Sequence, residues 1–225
     1  MAHTKRIAAG LGKAHVWAVT PAPGHHSKGK CISLLALVRD KLKYADTSRE
    51  AMKIINDGMI LVGRSPRKNY KYNIGIMDVI RIPKAGKNFR CMPDKKGLSF
   101  KEIPDEEAKF KLCKILDKSV ISGGKIQLNL HDGTNIIVPE DPEKKYETRD
   151  TILIDIETTK ITDLIEFNIG NIGLVVSGRH TGKVGKIDEI VKATAARKSL
   201  TVIDGMPTLT DYVLVIGKDK PVISI

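Results

Sequence analysis

The chain has 225 residues, 41% of them hydrophobic but only 4% aromatic, and a formal net charge of +12. Enough apolar content is present to build cores filled by Ile, Val and Leu, which excludes wholesale disorder. A surplus this large favours polyanionic partners, nucleic acid first and an acidic membrane surface second. No apolar run approaches the length of a membrane span, and MAHTKRIAAGLGKAHVW has no signal-peptide core, so a cytoplasmic protein is expected.

Residues 1–32 read as a basic arm. Over residues 1–45 eight cations, Lys5, Arg6, Lys13, Lys28, Lys30, Arg39, Lys41 and Lys43, stand against Asp40 alone. TPAPGHHSKGK is rich in Gly, Pro and His without periodicity and predicts an extended segment. Within it Trp17, next to His15, is either a core residue or one that stacks on a base or pins the arm to a domain, and both residues are candidates for RNA contact. His25-His26 has no neighbouring ligand and predicts a solvated loop, not a metal site. Cys31, Cys91 and Cys113 are too far apart for a disulfide framework or a CxxC site and predict reduced thiols.

From residue 33 the pattern turns periodic. SLLALVRDKLKYA places Leu34, Leu35, Val38 and Leu42 on one helical face, with Arg39, Lys41, Lys43 and Tyr44 at or beyond its edge. In TSREAMKIINDG, Thr47 and Glu50 form a capping box that opens a second helix, and Asp57-Gly58 closes it. Arg49 and Lys53 lie on that helix. The strand MILVG follows, then the loop RSPRKNYKY with Arg64, Arg67, Lys68 and Lys71 interleaved with Tyr70 and Tyr72, then the strand DVIRI. One cation on a helix face is ordinary solvation; the accumulation of one sign is what points to a polyanion.

Beyond residue 90 the reading is mostly β. PDEEAKFKLCKI predicts one or two helical turns. KIQLNL, HDGT and NIIV predict a hairpin, and TILIDI, ETTK and ITDLIEF another. Asp155 and Glu157 share a strand face, yet nothing else gathers there for acid–base work. IGLVVSG, VGKIDEI, SLTVID and DYVLVIG predict four or five short strands curling into a closed or half-closed barrel.

GLVVSGRHTGKVGKI, residues 173–187, raises the question of a nucleotide loop. Such a loop needs GxxxxGK followed by Ser or Thr and must feed a helix N-terminus. Here three residues separate Gly178 from Gly182, Val184 follows Lys183, and VGKIDEI alternates as a strand. The stretch resembles instead the KOW motif of ribosomal proteins and transcription elongation factors, matching at Val176, Gly178, Gly182, Gly185 and Ile187. The resemblance implies that Arg179, His180, Lys183 and Lys186 project toward a nucleic-acid backbone.

TSREAMKIINDGMILVGR is similar to the core of the RNA-binding domain named for small-subunit ribosomal protein S-four, at Ala51, Ile55, Gly58, Ile60 and Val62. It departs from that core where Thr47-Ser48-Arg49 stands for a Ser-Arg pair and Gly63-Arg64 for an Asn-Gly turn. In order, KRIAA with a nearby Trp, LVRDKLKYA, GIMDVIRI, EEAKFKLCKI, IVPEDP, TILIDIETTKITDLIEF, the glycine loop and VIGKDKPVISI resemble the archaeal/eukaryotic-type small-subunit ribosomal protein S-four-e family over essentially the whole chain.

The resemblance implies an α+β protein with a basic arm at 1–32, an S-four-type RNA-binding domain at 33–90, a central mainly-β domain at 91–169 and a KOW SH3-like barrel at 170–225. It implies a structural component of the small ribosomal subunit, cytoplasmic and within the ribosome, whose partners are ribosomal RNA and neighbouring ribosomal proteins. No catalytic residue, metal, cofactor, membrane or small-molecule substrate is expected. The alternatives are an RNA-modifying enzyme, which needs a catalytic domain that the central region does not offer, and a KOW-type transcription factor.

Overall fold

The computed structural model describes residues 18–138, 146–195 and 197–225. The protein is mostly β with few helices, and it divides into two compact units: Met1–Lys111 with Ile156–Thr158, and Leu112–Asp155 with Thr159–Ile225.

In the first unit β1 (Ile32–Ser33) leads into a short helix α1 (Leu34–Ala36), with the Ser33 hydroxyl accepting from the Ala36 amide. A π-helical turn follows at Leu37–Lys41, closed by the Leu42 amide donating to the Leu37 carbonyl. Here the structure departs from the one-sided helix of the sequence reading: Ala36 and Leu37 are as buried as Leu34, Leu35 and Val38. The segment is enclosed because the Tyr72 and Tyr70 carbonyls accept from its first amides while its body packs in one core with Ala51, Ile55 and Ile80. Lys43 ends the turn at a positive φ of 55°, the left-handed conformation that stops helices.

Helix α2 (Ser48–Asn56) starts at the expected capping box: Thr47 accepts from the Glu50 amide and Glu50 accepts from the Thr47 amide. Ala51 and Ile55 are fully buried, and Gly58 takes φ +70° beyond the C-cap Asp57. Next come β2 (Leu61–Val62), β3 (Ser65–Pro66), β4 (Asn73–Ile74), β5 (Val79–Ile82), β6 (Lys87–Asp94) and β7 (Gly97–Ile103). They form a five-stranded sheet in the order β3-β2-β5-β6-β7, with β1 and β4 as a separate antiparallel pair.

PDEEAKFKLCKI yields one of the expected one or two helical turns, and as 3-10 helix: a single turn at Glu107–Lys109, after which Phe110 begins strand β8 (Phe110–Val120). The fully buried Arg90 explains it. Its Nη2 donates to the carbonyls of Glu107 (2.8 Å) and Phe110 (3.0 Å), oxygens that a continuing helix would direct along its own axis.

The division between units falls inside β8. The second unit contains β9 (Ile126–Leu130), β10 (Asn135–Val138), β11 (Thr151–Asp155) and β12 (Ile161–Ile165) in the order β10-β9-β8-β11-β12. The predicted hairpin is present, with Asn129 opposite Asn135 and Ile126 opposite Val138. A second antiparallel sheet is built from β13 (Ile172–Val175), β14 (Val184–Val191), β15 (Leu200–Ile203), β16 (Met206–Leu209) and β17 (Val213–Gly217), ordered β16-β15-β14-β13-β17. Every residue of β17 is buried. All three cysteines are free and buried.

Candidate nucleic-acid interface

Lys5, Arg6, Lys13, His15 and Trp17 lie outside the described residues. The rest of the arm is fastened to the first unit. The Ala22 amide donates to the Lys71 carbonyl, and Asn73 Nδ2 donates to the His26 carbonyl. His26 Nε2 lies 2.9 Å from the Asp78 carboxylate, with only 5% of the His26 side chain exposed. This corrects the solvated-loop reading for His26, whose partner is 52 residues away in sequence. Burial alone pushes the Asp78 carboxyl up, but the His26 contact, the Lys111 charge and the Gly75 amide bring it below its ordinary value. His25 stays exposed, its ring tilted against Tyr72, and Lys28 and Lys30 are exposed in a 3-10 turn.

The fold sorts the cations of the helical segment and loop into two groups. Arg39 is engaged internally, donating to both Asp40 oxygens (2.6 and 3.0 Å) and to the Ser48 hydroxyl (2.6 Å), so it ties the π-turn to the start of α2. The hydrogen bond that it donates to Asp40 holds its guanidinium above the ordinary value. Lys41 is half-buried, and burial lowers its ammonium against the pull of Cys91 and Asp94. Arg67 lies over the Tyr72 ring at 4.5 Å. By contrast Lys43, Arg49, Lys53, Arg64, Lys68 and Lys71 are all exposed.

Local geometry explains how these are presented. The β2–β3 turn runs through Gly63 at φ +63° and puts Arg64 at its tip, while the Lys68 stem passes beside Gly58 at the end of α2. Lys71 Nζ sits 5.5 Å from the Tyr70 ring. Tyr70 and Tyr72 pack partly against the core, whereas Tyr44, 39% exposed, offers an aromatic face to solvent.

In the second unit the glycine loop joins β13 to β14, antiparallel strands with Leu174 opposite Val184. Val175 and Lys183 close its base, with the Val175 amide donating to Lys183 and the Gly182 amide to Val175. Gly178 and Gly182 take φ of 92° and 82°, which favours glycine. A Cβ at Gly178 would stand 3.1 Å from the Tyr212 ring, and one at Gly185 would run into the Asp204 carboxylate. Arg179, Lys183 and Lys186 are exposed and His180 is half-exposed. A strand starts directly after Lys183, not the helix that a nucleotide loop requires.

Sequence reasoning missed the residue that seats this loop. Lys114, 5% exposed on β8, donates from Nζ to the carbonyls of Thr210 (3.3 Å), Asp211 (3.1 Å) and Val213 (2.7 Å). These oxygens belong to the turn carrying Tyr212, whose ring lies under Gly178 and whose carbonyl accepts from the Val176 amide at 2.7 Å. The available signal was a lone cation in the apolar run LCKI, buried on both faces of the strand.

Among the described residues no group of His, Cys, Asp and Glu could hold a metal ion, and no helix is long and apolar enough to cross a membrane.

Comparison with known proteins gives the chain its relatives. Residues 85–161 match the family described as Ribosomal family S4e. The chain is 44% identical over 219 residues to the small ribosomal subunit protein eS4 of Methanothermobacter thermautotrophicus, covering 95% of this chain and 89% of that one. To the protein of the same name from Methanocaldococcus jannaschii it is 42% identical, covering 99% and 97%. The crystal structure of the 30S ribosomal protein S4e from Thermoplasma acidophilum is similar with a TM-score of 0.74 at 30% identity, over 84% of this chain and 96% of that one. Similarity of this extent over nearly the full length shows that the chain belongs to the ribosomal S4e family.

Proposed function

We propose that the protein is a structural component of the small ribosomal subunit that binds ribosomal RNA mainly through its phosphates and does no chemistry of its own. Near full-length similarity to proteins named for that subunit carries the reading. Its physical support is the sorting of cations, since those not engaged in the fold project from a turn, a helix and a glycine loop. On this reading residues 33–90 act as an S-four-type RNA-binding domain, 91–169 as a central β domain and 170–225 as a KOW SH3-like barrel, with 1–32 as a basic arm. Partners are ribosomal RNA and neighbouring ribosomal proteins, in the cytoplasmic ribosome.

Contacts come from Lys28, Lys30, Lys43, Arg49, Lys53, Arg64, Lys68 and Lys71 in the first unit, with Tyr44 stacking on an unpaired base. Arg179, His180, Lys183 and Lys186 contribute from the glycine loop. Arg39, Lys41 and Arg67 support that surface from below. Each phosphate neutralised adds about 0.7–0.9 to the slope of log affinity against log salt. Filter binding to small-subunit ribosomal RNA between about 50 and 200 mM salt tests this. Joint neutralisation of Lys43, Arg64, Lys68 and Lys71 lowers the slope and the affinity, while neutralising Lys95 and Lys96 in the β6–β7 turn does little. Binding indifferent to salt, or equal effects of the two sets, would remove the proposed face.

A further inference from the structure

The β14–β15 hairpin carries a further set of cations. From Ile190 through Ile203 the sequence contains no Asp or Glu, while Lys192, Arg197 and Lys198 gather near its end. All three are exposed, and none has an ion-pair partner among the described residues. The acidic residues stay at the base, where Asp188 accepts from the Gly205 amide and Asp204 from the Lys186 amide. Charge is therefore segregated along the ribbon: mixed at the base and positive at the end.

The ribbon is also ordered toward its end. Ile190 pairs with Thr201 and Val191 with Leu200, and the Thr194–Arg197 bridge continues the same register, with reciprocal amide-to-carbonyl bonds of 2.9 and 3.2 Å. Only Ala195 and Ala196 separate the bridged residues in sequence, the spacing of a tight hairpin. That register sets Lys192 opposite Ser199 and Lys198 opposite Ala193, so each cation faces a small neutral residue. By strand alternation Lys192 and Arg197 fall on one face and Lys198 on the other. Past Ile187, β14 is largely exposed, and Val191 is 42% exposed.

A narrow ribbon with cations on both faces and small residues between them fits a slot bounded by phosphates on two sides. We propose that the β14–β15 hairpin is a further RNA-docking finger that inserts between two backbone strands of structured RNA, Lys192 and Arg197 meeting one strand and Lys198 the other. The proposal rests on the ribosomal RNA reading above and adds a contact site to it.

The test uses the full chain and small-subunit ribosomal RNA. Replacing Lys192, Arg197 and Lys198 together by Ala removes three phosphate contacts, which lowers the salt slope by about two to three. Relative to 1 M salt, each contact contributes about five- to eightfold at 0.1 M, so affinity there falls roughly 100- to 500-fold. A second variant, Ala195→Cys carrying a photoactivatable group, crosslinks to the RNA; the native thiols are buried, so labelling is selective. Wild-type slope and no crosslink, with binding still lost on neutralising Arg64, Lys68 and Lys71, overturns the finger and leaves the ribosomal reading standing. If neither set of neutralisations changes the slope, the RNA reading fails and takes the finger with it.

Discussion

Replacing Lys114 by Met keeps the aliphatic stem and removes the ammonium. The three donors of the lysine are spent on three carbonyls at 2.7–3.3 Å. The Thr210 carbonyl also accepts from the Val213 amide, so the change strands two acceptors, the carbonyls of Asp211 and Val213. At about 1–3 kcal/mol per unsatisfied group, the gross loss is roughly 2–6 kcal/mol. Against that stands the several kcal/mol it costs to hold an ammonium out of water, which Met does not incur. The net expectation is a loss of about 1–3 kcal/mol, a fall in melting temperature of roughly 2–12 °C. Calorimetry reads the global loss. Hydrogen exchange reads the local one: the Val176 amide, bonded to the Tyr212 carbonyl at 2.7 Å, should lose protection beyond the global change. RNA binding supplies the coupling: in the Lys114→Met background, neutralising Arg179 and Lys183 should cost less than in the wild type, because the loop is already displaced. A loss under about 0.5 kcal/mol, or an unchanged Val176 and full additivity, refutes the idea that Lys114 seats the loop.

Two smaller perturbations probe the same logic. Gly178→Ala combines left-handed backbone strain with a Cβ 3.1 Å from Tyr212, whereas Gly86→Ala has strain at φ +62° with nothing within 4 Å. Denaturant unfolding should show about 1 kcal/mol for Gly86 and about 2–3 for Gly178; equal values would mean that the ring yields at no cost. For Asp78, the folded pKa lies below the unfolded one, so its stabilisation is complete above the unfolded value and disappears as pH falls through the folded value. His26→Ala removes the partner that offsets burial and should raise the Asp78 pKa, moving the acid limb of unfolding to higher pH. An unmoved limb would show that the His26–Asp78 contact does not stabilise the carboxylate.

What could be read in advance was local. The Thr47–Glu50 box, the Gly58 stop and the 126–138 hairpin depend on residues a few positions apart, and each formed where the pattern placed it. The strand after Lys183 was legible because alternation and a missing hydroxyl sit within one short stretch. What escaped depends on distant groups. Arg90 meets Glu107 and Phe110 across 17 and 20 residues and holds the helical segment to a single 3-10 turn. His26 meets Asp78 across 52, and Lys114 meets its carbonyls across 96–99. The π-turn also escaped: the spacing of Leu34, Leu35, Val38 and Leu42 read as one helical face, whereas Ala36 and Leu37 are buried as well by the distant carbonyls of Tyr70 and Tyr72 and the core they bring.

The same residue types thus serve two ends, and burial separates them where sequence cannot. Arg39, Arg90 and Lys114 each have internal acceptors within hydrogen-bonding distance, and their loss would be felt in stability. Arg64, Lys68, Arg179, Lys192 and Arg197 are exposed, and their loss would be felt in docking. Salt distinguishes the two classes. At ~0.15 M the screening length is about 8 Å, which weakens exposed charges toward a distant phosphate far more than a buried ammonium on a carbonyl at contact. Raising salt should therefore release the protein from RNA well before it loosens the fold. A coincident loss of binding and structure would mean that the exposed cations hold the protein together and that the division drawn between the two classes is wrong.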